Sequence, residues 1–66
     1  MPALTERNVA ILANKIYAAF YALPYDERKP IASKVLAKLD SMSHVMSTAQ
    51  MYKFMDFSYA VQHDYI

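Results

Sequence analysis

No glycine occurs anywhere in the chain. That absence excludes more folds than any other feature of the sequence. Tight hairpin turns need residues that tolerate positive φ, so a turn-rich β protein without glycine is improbable on steric grounds. Phosphate-cradling glycine loops are excluded as well. The expectation is two long helices and a third, shorter or bent one, punctuated by proline and serine. The three prolines fall at positions 2, 24 and 30.

Apolar spacing supports helices throughout. Val9, Leu12, Ile16, Phe20 and Leu23 recur at steps of three and four, which marks one face of an α-helix. Thr5 is the expected N-cap, with Glu6 adding negative charge near the positive end of the helix dipole; Asn8 is the alternative cap. Pro24 disfavours the α conformation at Leu23, so the helix is expected to end there. The segment "PYDERKP" reads as the linker, with the second helix starting either from an Asp26 cap or at Pro30. Ala32, Val35, Leu36, Leu39 and Met42 then form an apolar stripe opposite Ser33, Lys34, Ala37, Lys38 and Ser41, an ordinary amphipathic pattern. Extending that stripe past Met46 leads to Ala49, Lys53 and Asp56, so the register breaks. A serine-rich stretch at the same place, and Ser47 with Gln50 three residues later, predict an interruption within 43–47 and a new N-cap. The third helix is expected over 48–62. Met51, Phe54, Ser58 and Val61 make one stripe, Tyr52, Met55 and Tyr59 an adjacent one, and Lys53, Asp56, Ala60 and His63 hold the remaining face, with Phe57 beside it.

The segment 16–23, "IYAAFYAL", is apolar nearly all the way round. With Val9, Leu12, Ile16, Phe20 and Leu23 as the core face, Ile11, Tyr17, Ala18, Tyr21 and Ala22 fall on the other side. Tyrosine and methionine are favoured at interfaces, where a ring supplies contact area and a hydroxyl stays wet. A chain of 66 residues hides only about 60% of the surface its unfolded form exposes. It has no cysteine, so no disulfide can staple it. A partner subunit is the remaining remedy. The expectation is one all-α domain over 1–66, a helical hairpin or small three-helix bundle that pairs as a homodimer and binds another protein. Tyr17, Tyr21, Tyr52, Met55 and Tyr59 are the expected binding residues.

Other chemistries find little support. His44 and His63 lack a second ligand at helical spacing, so neither a metal nor a cofactor is expected. Ser41, Ser43 and Ser47 cluster near His44 and Asp40 but lack the strand-turn-helix setting that presents a nucleophile, so no catalytic residue is expected. Net charge is +1, which gives no electrostatic reason for nucleic acid or an anionic membrane. The longest uncharged apolar run is far shorter than a bilayer span, and "MPALTERN" lacks the order of a signal peptide. A soluble, cytoplasmic protein is the expectation. Its expected role is a regulator or inhibitor that covers a partner's surface through an apolar Tyr- and Met-bearing helical face. That style is common among proteins carried by phages and other mobile elements. The alternative is a small DNA-binding regulator in which the second and third helices act as helix-turn-helix, with Thr48, Gln50 and Lys53 on the recognition helix.

Overall fold

A computed structural model describes residues 4–66. Three α-helices follow one another: α1 (Glu6–Ala22), α2 (Tyr25–Ser41) and α3 (Thr48–Tyr65), with a single 3-10 turn (Ser43–Val45) before α3. The described chain is all-α. Ten apolar residues drawn from all three helices and the turn after α2, among them Val9, Phe20, Leu39 and Val61, form one buried core.

Each helix begins for an identifiable reason. The Thr5 hydroxyl accepts from the Asn8 backbone N–H at 3.2 Å, satisfying one of the donors a helix start leaves free. At the other end Leu23 adopts an extended conformation (φ −77°, ψ 148°), as the residue before proline must. The second helix starts earlier than either expected position. Pro24 occupies its cap, and the Pro24 carbonyl accepts from the backbone N–H groups of Glu27 and Arg28 at 3.0 and 3.1 Å. Proline fits that site because its N–H is missing and no bond is lost. Asp26 is therefore a first-turn residue, not a cap, and Pro30 lies inside the helix.

The interruption within 43–47 is present. Ser43 donates to the Asp40 carbonyl at 2.8 Å, and Ser41 to the Lys38 carbonyl at 2.6 Å. The end of α2 is thus closed by hydroxyls that compete with the helical ladder. Ser47 caps α3, accepting from the Gln50 N–H at 3.2 Å. The reciprocal half of a capping box is not formed, because the Gln50 side chain turns inward to Tyr17. The third helix runs three residues past its expected end, to Tyr65.

Two core faces are rotated from their expected positions. On α1 the buried residues are Val9, Ala13, Tyr17 and Phe20, with Ile16 half-buried and Leu12 exposed. On α3 they are Gln50, Phe54, Phe57 and Val61. Phe57, expected beside the face of Lys53, Asp56, Ala60 and His63, is core; Met51 and Ser58 sit at its edge. Ring packing accounts for both rotations. Phe57 lies 4.8 Å from Tyr17 and 5.4 Å from Phe20 between ring centroids, and Phe20 lies 5.5 Å from Tyr65. These separations and the tilted or edge-on angles are those aromatic pairs prefer. Ala13 on α1 and Ala32 on α2 are small and fully buried. Rings of α1 and α3 meet between those two helices. The α2 stripe is as expected: Ala32, Leu39 and Met42 are buried, and Val35 and Leu36 pack against them.

Candidate protein-binding face

The rotation of α1 changes what its tyrosines do. Tyr17, expected on the outer side, is 6% exposed, and its hydroxyl accepts a long hydrogen bond from Gln50 Nε2 at 3.5 Å. Burial raises the pKa of its phenol, an effect only partly offset by that hydrogen bond. It is a core residue, because a ring at this position is needed to meet Phe57.

Tyr21 is half exposed, yet one side of its ring is engaged. It stands edge-on to Phe20 and Phe57 at 5.5 and 5.8 Å, and the Arg28 guanidinium lies 5.6 Å from its centroid. Arg28 also donates from Nε to the Leu23 carbonyl at 2.7 Å and from Nη2 to the Tyr21 carbonyl at 2.9 Å. Its Nη1 donates to the Tyr65 hydroxyl at 2.9 Å. One planar fork thus satisfies the last carbonyls of α1, at the negative end of its dipole, and ties them to the last turn of α3. Tyr25 adds a second tie, donating to the Asp64 carbonyl at 3.0 Å. No sequence pattern announces Arg28: within "PYDERKP" it reads as one of several solvated linker charges.

Tyr52, Met55 and Tyr59 are 65%, 45% and 70% exposed. At 100° per residue they fall within about 60° of arc, and that arc lies about 160° from the mean direction of Gln50, Phe54, Phe57 and Val61. Ile66, also largely exposed, lies just past the last residue of α3. The third helix therefore carries two apolar faces, one in the core and one turned to solvent. Met55 and Tyr59 border a groove of about 370 Å³ shared with Asp40, Phe54, Ser58 and Gln62.

Tyr21 borders a different groove, between α1 and α3. That one measures about 520 Å³ and is lined by Tyr17, Phe57, Asn14, Ala18, Lys53 and Asp56. Lys53 spans it, donating to Asn14 Oδ1 at 2.9 Å and lying 5.3 Å from the Tyr17 ring. Of the five expected binding residues, then, the structure brings together Tyr52, Met55 and Tyr59, places Tyr21 apart from them, and buries Tyr17.

The polar clusters are occupied by structural work. The hydroxyls of Ser41, Ser43 and Ser47 all serve helix ends. His63 Nδ1 lies 2.9 Å from the Asp64 carboxylate, at the exposed end of α3. Among the described residues no three His, Cys, Asp or Glu side chains form a metal-binding group, and no helix is long and apolar enough to cross a membrane. No protein-family model, curated protein sequence or solved structure matches the chain.

Proposed function

We propose that the protein is a small protein-binding regulator, homodimeric in its free state, that acts by covering a partner's surface with the outer face of α3. One observation carries the reading: α3 is apolar on two nearly opposite sides, and the core uses only one. Large exposed apolar patches on small proteins mark interaction sites, and tyrosine and methionine give such a patch contact area and adaptability. The mechanism is occlusion. Burying Tyr52, Met55 and Tyr59 against a groove or assembly surface of the target excludes whatever that surface would otherwise bind. The reading assigns the protein no catalytic step and no cofactor.

The helix-turn-helix alternative has less to support it. Gln50 is buried and Lys53 is bonded to Asn14, so two of the three polar side chains a base-reading α3 would use are engaged within the protein. Affinity capture from the native host tests the proposal, with the wild-type chain, Tyr52→Ala, Tyr59→Ala and the Lys34→Ala/Lys38→Ala pair as matched baits. A partner protein kept by the wild type and the lysine pair and lost by the tyrosine variants supports it. Binding that depends on the lysines and weakens steeply with salt, as phosphate contacts do, transfers the function to nucleic acid.

A further inference from the structure

We propose that the groove between α2 and α3 takes an arginine side chain carried on an apolar segment of the partner protein. The proposal rests on reading the outer face of α3 as protein-binding, and it names the chemistry that this face meets.

The groove of about 370 Å³ is lined by Asp40, Phe54, Met55, Ser58, Tyr59 and Gln62. Met55 and Tyr59 also belong to the exposed stripe, so groove and stripe are continuous. Asp40 is the only charged residue of the lining, and it is exposed. Its backbone carbonyl closes the end of α2, accepting from the Ser43 hydroxyl. Its carboxylate has no hydrogen-bond or ion-pair partner among the described residues. Asp40 also stands in the last turn of α2. That is the negative end of the helix dipole, where an acidic side chain is disfavoured and a cation is favoured. Lys38 shares the turn but stays outside the groove. A cation seated beside Asp40 is therefore attracted by the carboxylate and by the helix end together.

The neutral polar groups point the same way. Gln62 Nε2 already donates to Ser58 Oγ at 3.0 Å, which leaves the amide oxygen, an acceptor, as the unused group of Gln62. Acceptors thus come from both walls, and no lysine, arginine or histidine lines the groove. An occupant must bring donors and positive charge. A guanidinium does so with a planar fork that can bond a carboxylate twice and still lie flat on a ring or a thioether. An ammonium is a compact, strongly hydrated charge and gains less from the Tyr59 ring and Met55.

The same reasoning selects a protein side chain over a free small cation. An ion pair with an exposed carboxylate contributes little by itself. The adjoining Tyr52, Met55 and Tyr59 supply apolar contact, and only a cation set in an apolar segment can use it. Arginine and tyrosine are also the residue types that most often anchor protein interfaces.

Panning a random dodecapeptide display library on the wild-type chain, Asp40→Asn and Tyr52→Ala tests the proposal. Asp40→Asn keeps the side-chain shape and removes no bond within the protein, and circular dichroism checks that its helical signal is unchanged. The wild type should enrich peptides with an arginine beside apolar residues, and Asp40→Asn should lose that enrichment. Replacing the arginine of a selected peptide by citrulline should weaken binding about tenfold. A selected pool no richer in arginine than the starting library, equal enrichment on wild type and Asp40→Asn, or lysine favoured over arginine overturns the proposal. Displacement of the peptide by arginine amide at equal concentration overturns it too, since the site would then serve a free cation. The two readings separate cleanly. Arginine-free apolar peptides lost on Tyr52→Ala would remove the arginine site and leave the face's protein-binding role standing. Arginine peptides that need Asp40 and are indifferent to Tyr52→Ala would keep the groove and remove the stripe.

Discussion

Tyr17 and Tyr21 lie one helical turn apart in a segment that is apolar on every side, and hydrophobicity alone does not separate them. The deciding residue is Phe57 on α3, whose ring takes Tyr17 as its partner and leaves Tyr21 at the groove edge. Because burial disfavours the Tyr17 phenolate, its folded pKa is raised above 10.0. Its contribution to stability is complete below the unfolded pKa and is lost as pH rises through the folded one. Urea unfolding at neutral pH and above pH 10 should therefore show an alkaline loss of stability that is smaller in Tyr17→Phe. At neutral pH the same variant should cost about 0.5–1 kcal/mol, because the bond from Gln50 is long and weak. Arg28 is the other residue whose role emerges only from the fold. Arg28→Ala frees two carbonyls of α1 and the Tyr65 hydroxyl at once, and should destabilise by about 2 kcal/mol, whereas Lys29→Ala next to it should stay within about 0.5 kcal/mol. Thermal melts of the two variants check the contrast.

At the scale of the elements, what the sequence made legible is what local chemistry decides. Thr5, Pro24 and Ser47 mark ends because caps and proline act on their immediate neighbours. The break within 43–47 was visible because the α2 stripe falls out of phase there. Core faces were legible only on α2, whose opposite side is polar. On α1 and α3, with apolar residues on more than one side, periodicity fixes helix but not rotation; ring packing between helices does that. The start of α2 was missed because Asp26 is a better cap than proline by composition, while the fold needs Arg28 in the first turn to reach back to α1. A cost remains: Pro30, one turn inside α2, cannot donate to the Asp26 carbonyl. Pro30→Ala should raise stability by about 1 kcal/mol or more, read as a higher urea midpoint with unchanged slope. A lower midpoint would mean that Pro30 holds the linker geometry.

For the whole molecule, the consequence of three helices in 66 residues is that the interior has room for one face of each. On α2 the outer side is charged, and on α1 the exposed apolar residues, Ile11, Leu12, Tyr21 and several alanines, are interrupted by Asn14 and Lys15. The outer side of α3 instead exposes Tyr52, Met55 and Tyr59. Stripe and core face can be told apart by substitution, since a core ring is required for folding and an interface ring is not. Sedimentation equilibrium of the wild type and Tyr59→Ala, with circular dichroism on the same samples, puts that distinction to the most direct test. The account predicts twice the chain mass for the wild type and a single chain for Tyr59→Ala, with equal helical signal. Loss of helix in Tyr59→Ala, or equal mass in both proteins, would contradict it.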